Sequence, residues 1–419
     1  MRLSQLFTKS RKTVPADEPA KNAQLLIKAG FIHKEMAGVY TFLPLGLRVL
    51  NNIAQIIREE MNTAGGQEVL MPALQVKERY ETTNRWDDEA VDIWFKTKLA
   101  NETEVGLGFS HEENLVPLVK NFVSSYKDMP FAVYQIQTKF RNELRPKSGL
   151  IRGREFMMKD MYSFALTKKQ HDDFYAQMQK VYKKTFDRLG IGKQTVMTFA
   201  SGGSFSKYSH EYQTISDVGE DTIYVDQKKN IAINKEVLTD EVLKELKIDR
   251  THLKECRGIE VGNIFSLDTK FSKPFKLTVA DENGQDQTVI MGCYGIGLSR
   301  VMGAIVEILS DEKGLVWPEN IAPAKVIIVR LGDNDKVIKA ADNLYKDLTQ
   351  KSVEVIYDDR DLHAGEKFAD ADLTGIPYRV VISEKTLANN EQYEIKARTS
   401  DTVQMTNIEG VLKIVSTRK

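Results

Sequence analysis

Between Val133 and Phe164 the chain reads VYQIQTKFRNELRPKSGLIRGREFMMKDMYSF, two β-rich runs flanking the charged, glycine-containing stretch NELRPKSGLIRGR. This pattern predicts a strand, a basic loop and a strand. The hairpin gathers Arg141, Arg145, Lys147, Arg152 and Arg154 among Glu143, Glu155 and Phe156, and so much charge on one unit needs either solvent or an anionic ligand. On composition alone, a solvated surface is the default. As a binding element, such a hairpin can hold a triphosphate with its arginines, accept from an adenine amino group with a carboxylate and stack the base on an aromatic ring.

The flanking sequence supplies the frame for that hairpin. Leu47, Leu50, Ile53, Ala54, Ile57 and Met61 recur at three- and four-residue steps, which predicts an amphipathic helix that Gly65 and Gly66 end. EVLMPAL follows, short and apolar, with Pro72 placing it on an edge strand or at an interface. Near the other end of the first three hundred residues, TVIMGCY reads as a strand, GIGLSR as a close backbone approach and VMGAIVEIL as a helix. Pro318 and Pro323 in GLVWPENIAPAK break both regular structures and predict a domain junction. From Lys325 onward, KVIIVRL, a polar helical stretch to about Gln350, VEVIYDD, GEKFADADL and YRVVIS alternate strand and helix as a small α/β unit does.

The 419 residues exceed what one core usually organises. With 42% hydrophobic and 28% charged residues, the composition is that of a water-soluble globular chain, and no stretch is long and apolar enough to span a bilayer. Acidic and basic residues balance at 59 each, so a nucleic-acid partner would have to be met by local basic patches. Two cysteines, Cys256 and Cys293, are too few for a disulfide framework or a cysteine-based zinc cluster. A cytoplasmic location fits, since the N-terminus lacks a signal-peptide core. The fold class expected is α/β: an α+β catalytic domain built on an antiparallel sheet, followed by a C-terminal α/β domain.

The order of these elements resembles the three signature motifs of class II aminoacyl-tRNA synthetases, and the match to bacterial prolyl enzymes is close. The helix and strand through Pro72 (about 38–75) look like motif 1, KFRNE with the later REF (about 133–164) like motif 2, and GCYGIGLSR (about 288–309) like motif 3. The resemblance implies ATP as a substrate with Mg²⁺ beside it. By the same resemblance Arg141 bridges the α-phosphate and the amino-acid carboxylate, Glu143 reads the adenine amine, Phe156 stacks on adenine, Arg152 adds a phosphate contact and Arg300 holds the γ-phosphate.

LGFSHEE, from Leu107 to Glu113, resembles the prolyl family's TxE element, with Ser110 and Glu112 as proline ligands. Phe109 stands where that family usually has proline, and Ser110 where it has threonine. YSHEYQT resembles the family's SHEFQ segment, implying His210 in the proline pocket, Glu211 on Mg²⁺, and Gln213 and Thr214 on the nucleotide; satisfied structural groups in a β-rich stretch are the alternative. RGIEVGNIF matches another family segment but carries Asn263 where histidine is common. Cys293 reads as a buried, inert thiol.

VIYDDRDLHAGEKF resembles the anticodon-binding domain of this class, with Arg360, Lys367 and Phe368 as candidate anticodon contacts; ordinary surface charge is the alternative for Arg360 and Lys367. The implied domains are 1–322, catalytic, and 323–419, anticodon-binding. Where many bacterial prolyl enzymes insert an editing domain, this chain has only 224–257, largely polar and too small for its own pocket, which reads as a short linker or small cap. The implied partners are tRNA(Pro), proline, ATP and a second copy in a homodimer, with no membrane and no DNA. The competing reading is a regulatory or binding paralogue that has lost aminoacylation.

Overall fold

The computed structural model describes all residues except 145, 147, 204, 389–391 and 417–419. Arg145 and Lys147 of the basic hairpin therefore lie outside the described residues. By compactness the chain divides into two units, one of 1–35, 40–52 and 305–419, the other of 36–39 and 53–304.

The second unit is built on a nine-stranded sheet in the order Tyr208–Ile215, Thr195–Ser201, Ile231–Asn234, Asp221–Asp226, Leu253–Asp268, Ile290–Gly297, Glu155–Ala165, Phe131–Phe140 and Gly66–Glu68. The long strand Leu253–Asp268 pairs with Asp221–Asp226 through its first half and with Tyr208–Ile215 through its second. The basic hairpin forms as its sequence predicts. Phe131–Phe140 and Glu155–Ala165 are antiparallel neighbours in register from Phe131↔Phe164 to Phe140↔Glu155.

The helix expected from Leu47 to Met61 runs from Pro44 to Thr63, and Gly65 at φ +87° turns the chain out of it. The strand after it is shorter than the apolar run: Gly66–Glu68 pairs with Phe131–Phe140, and Pro72 sits outside any ladder, its N–H being absent. One sheet face is covered by the helix Lys168–Arg188, which opens on a capping box between Thr167 and Gln170. Its Tyr182 hydroxyl accepts from buried Lys159, and its Tyr175 hydroxyl donates to the Ile264 carbonyl. The other face carries the cavities described below.

The stretch 224–257 is part of the sheet, not a linker. Asp221–Asp226 and Ile231–Asn234 are hydrogen-bonded strands of it, and the short helix Asp240–Glu245 buries Val242 and Leu243 against Phe199, Ile233 and Ile248.

The other unit contains the C-terminal five-stranded sheet, in the order Val355–Asp358, Val326–Leu331, Tyr378–Ser383, Tyr393–Ala397, Val403–Thr406. The first three strands are parallel, joined through the helices Asp335–Gln350 and Ala364–Thr374, and the last two are antiparallel additions. No helix among the described residues is long and apolar enough to cross a membrane.

Candidate active site

Strand alternation builds the site. Along Glu155–Ala165, Phe156, Met158, Asp160 and Tyr162 point to one face and line a cavity of about 170 Å³, while Lys159 points back toward the helix. Lys139 and Arg141 reach the same cavity from the paired strand and the turn after it. Ser110 and Phe109 close it on one side, and Asn263, Cys293 and Arg300 on the others. Its floor includes Gly295, where a Cβ would meet nothing nearer than 4.0 Å and would project into the space a ligand needs. A second cavity of about 200 Å³ continues past Arg141 and Arg300 to Glu143, Arg152, Glu220, Asp221 and Glu260.

Arg141 lies 5.3 Å from the centre of the Phe156 ring, and its buried Nε has no partner. Burial and the nearby Arg300 both push the Arg141 guanidinium below its ordinary pKa. Both effects disfavour its charge until an anion arrives. The other two arginines are already matched. Arg300 donates from Nε to the Ile151 carbonyl at 2.8 Å and from Nη1 to Glu260, at 2.7 Å to the carbonyl and 2.9 Å to Oε2. Arg152 bridges Glu143 and Glu220, each at 2.9 Å. The carboxylate expected to read adenine and the arginine expected to touch phosphate thus hold each other.

Under the cavity lies a network that the sequence does not single out. Lys139 pairs with Asp160 at 2.8 Å and sits 3.0 Å from His111 Nδ1, whose Nε2 faces the Pro72 carbonyl at 3.1 Å. Tyr162 and Gln135 also donate to Asp160. Burial, then the Lys139 charge, pushes His111 down to about 4, so the ring is neutral. Burial opposes ionisation of Asp160, but Lys139 holds it below the ordinary carboxylate range. Parity was the available signal: Lys139 is two residues from Arg141, and Asp160 four from Phe156.

Ser110 donates to Glu112, which begins the helix Glu112–Lys120 and is fully buried. A helix N-terminus favours negative charge at that position. Cys293 lines the cavity with its thiol held un-ionised by burial.

The strand Tyr208–Ile215 divides its candidates between two faces. Glu211 and Gln213 face the carboxylate side: Gln213 Nε2 donates to Glu211 at 2.8 Å and to Asp221 at 2.7 Å, and Asn263 donates to Glu211 and Glu260. Burial, then the charge of Glu260, lifts Glu211 to about 8. His210 lies on the opposite face, its Nδ1 2.9 Å from the Tyr175 hydroxyl and its ring against Phe199. Thr214 is fully buried on that face against Thr195. None of His210, Glu211, Gln213 and Thr214 lines either cavity; Glu211 and Gln213 lie on the carboxylate side and His210 and Thr214 on the opposite one, since successive strand residues cannot share one face.

Within the C-terminal sheet, two anticodon candidates are structural. Arg360 holds buried Asp358 through Nε and Nη2, at 2.8 and 2.7 Å, and reaches Asp370 at 2.9 Å. Lys367 is 3% exposed, its Nζ donating to the Arg330 carbonyl at 2.7 Å. A lysine so enclosed presents no charge to a nucleic acid. Phe368 is half-buried under the Arg379 guanidinium, 4.6 Å from its ring centre.

Comparison with known proteins matches this arrangement. The family profile "tRNA synthetase class II core domain (G, H, P, S and T)" covers residues 95–309, and "Anticodon binding domain" covers 325–418. The chain is 37% identical to a Rickettsia akari protein named proline–tRNA ligase, over 99% of this chain and all of that one. The protein of that name from Wolbachia pipientis wMel is 38% identical over the whole of both chains. The chain belongs to the proline–tRNA ligase family. A solved structure of Giardia lamblia prolyl-tRNA synthetase in complex with prolyl-adenylate has a similar fold, with TM-score 0.76 and 20% identity, covering 93% of this chain and 74% of that one. A family member from Geobacillus, 34% identical, aligns over 548 positions, more than the 419 residues present here, so it carries inserted sequence that this chain lacks.

Proposed function

We propose that this chain activates proline with ATP to prolyl-adenylate and pyrophosphate, then esterifies the prolyl group onto the 3′ end of tRNA(Pro). The observation that carries this reading is the cavity in which Arg141, stacked on Phe156, stands between Ser110, which donates to buried Glu112, and Arg300. The proline ammonium would be met by Glu112 and Ser110, and its carboxylate by Arg141. A carboxylate oxygen attacks the α-phosphorus, the bond to the β-phosphate oxygen breaks, and pyrophosphate departs. Arg141 stabilises the charge that accumulates at phosphorus. Adenine stacks on Phe156 with Glu143 accepting from its amine, while Arg300 and Arg152 turn from their carboxylates to the phosphates. In the second step the terminal ribose hydroxyl of tRNA attacks the prolyl carbonyl, and AMP leaves.

Mg²⁺ fits beside Glu211. The donors there are oxygens, and Gln213 Oε1 is buried without a partner. No three acidic, His or Cys side chains among the described residues form a closed metal cage, so the ion would share its shell with ATP. Bound there, it would neutralise phosphate charge.

We assign residues 1–322 to catalysis and 323–419 to anticodon recognition, with Phe368 as the contact candidate and no role in DNA binding. A homodimer in the cytoplasm is part of the same reading. Leu70 and Leu74, at 77% and 51% exposure, are apolar side chains left exposed on the segment expected at the interface, which supports that reading. Charging of tRNA(Pro) with labelled proline tests the proposal; tRNA and ATP binding without any charging would favour the regulatory paralogue.

A further inference from the structure

Arg154 belongs to the basic hairpin by sequence, yet it lines neither cavity. Its hydrogen bonds run into the main chain around it. Its Nε donates to the Glu143 carbonyl at 3.0 Å, and its Nη1 to the Ala37 carbonyl at 3.4 Å. Its own N–H donates to the Gly38 carbonyl at 2.8 Å, and its carbonyl accepts from the Arg141 N–H at 2.8 Å. A guanidinium is a planar fork of donors, so one side chain can hold two acceptors in a fixed relation. Residues 36–39 belong by compactness to the same unit as the hairpin, and all four contacts lie within it.

What these bonds fix is the turn Arg141–Glu143. The Asn142 N–H donates to the Ile93 carbonyl at 2.7 Å, and the Glu143 N–H closes a three-residue turn on the Arg141 carbonyl at 2.8 Å. The next residue, Leu144, is 92% exposed. The Glu143 carbonyl is thus where the chain leaves its supports for the open loop, and Arg154 is what holds it.

The Glu143 carboxylate has a different holder. Arg152 pairs with it at 2.9 Å, and on the proposed reading Arg152 turns to the phosphates when ATP enters. The side-chain tether is then given up at the moment the carboxylate is needed. The bond from Arg154 goes to the main chain and survives the exchange. A group that must accept from one amine has to be held to within about 0.5 Å.

We propose that Arg154 is a positioning residue for adenine recognition: by clamping the Glu143 main chain to the Ala37–Gly38 turn, it fixes the carboxylate that reads the adenine amine. The inference rests on the reading of Glu143 as that group. Ala37 and Gly38 become supports of the nucleotide site through their carbonyls alone.

The test is proline-dependent pyrophosphate exchange with ATP and with purine riboside triphosphate, which lacks the 6-amino group. Both are used with the wild type, Arg154→Ala, Arg154→Lys and Glu143→Ala, and the readout is the ratio of the analogue's KM to that of ATP. A site built to bond an amine rejects the analogue without it, so the wild-type ratio should be about ten or more. Arg154→Ala should raise the ATP KM and bring the ratio to within about threefold of one, with the proline KM unmoved. Arg154→Lys keeps the charge but not the fork, so its ratio should also fall below the wild type's. A direct phosphate contact predicts that both KM values rise together, and a merely structural arginine predicts a lower kcat with either nucleotide. Both leave the ratio as it was, and either overturns the inference. If Arg154→Ala fails to fold, Arg154→Lys decides alone, by a ratio lowered or unchanged; failure of both to fold also overturns it. A wild-type ratio near one, or a ratio retained in Glu143→Ala, overturns the reading of Glu143 itself. A ratio lost in Glu143→Ala but kept in Arg154→Ala overturns only the positioning role.

Discussion

Among the described residues Arg141 forms no ion pair, whereas Arg300 and Arg152 each meet a carboxylate. The difference separates their expected effects. Arg141→Ala should cut proline-dependent pyrophosphate exchange on the order of a hundredfold or more, because it removes charge that acts on the transition state. Arg300→Ala should lose about as much, but through a raised ATP KM as well as kcat. Near-normal exchange in either variant would show the nucleotide to bind elsewhere. Glu211 gives a pH signature. Its pKa is lifted from an ordinary 4.5 to about 8, so the folded state favours the protonated acid. Folding then loses stability as pH rises from the unfolded value through the folded one. Glu211→Gln should therefore gain melting temperature on the wild type between about pH 5 and pH 9. An offset that is constant across that range would count against a raised Glu211.

At the scale of elements, legibility followed the reach of each local pattern. The hairpin Phe131–Ala165 and the strand-to-helix turn at Gly297 were readable because their periodicity and glycines are local. The strand Tyr208–Ile215 was also recognisable, but the candidates on it were drawn from consecutive positions, and alternation sends His210 and Thr214 to the helix side. Arg85, which pairs with buried Glu113 at 3.0 Å, was invisible for another reason: nothing near TTNRWDDE marks a buried cation, and its partner lies on a different element. In the helix Ala364–Thr374, Lys367 looked like an exposed charge because sequence does not show that its amine satisfies carbonyls at the ends of two strands. Lys367→Ala should accordingly cost about 1–3 kcal/mol of stability in chemical denaturation, leaving those acceptors unpaired. A variant as stable as the wild type but with weakened tRNA binding would restore the anticodon role.

For the whole molecule, light scattering at micromolar concentration should report a dimer, and an aspartate at Leu74 should shift it toward monomer. A monomeric wild type would remove that element of the proposal. The absence of an inserted domain has a chemical counterpart. Alanine is smaller than proline, so the pocket rejects it only by forgone contacts, about 1–3 kcal/mol per missing methylene-sized group. The stretch 224–257 is occupied as sheet and short helix, with its apolar residues turned into its own small core. The chain should form some alanyl-tRNA(Pro) and should not deacylate it. Hydrolysis of preformed alanyl-tRNA(Pro) well above the spontaneous rate would refute this.

On the proposed reading, the carboxylates that Glu260 and Glu143 offer to Arg300 and Arg152 make the nucleotide site an exchanger of counterions. An incoming polyphosphate displaces one anion to gain another, so part of its attraction is cancelled in advance. The same displaced groups are at hand to reclaim their arginines when pyrophosphate has been cut free. Tight binding of the leaving product, which would throttle turnover, is thereby opposed by the protein's own side chains, and the empty site never has to expose two bare guanidinium groups to the many other anions of a cell.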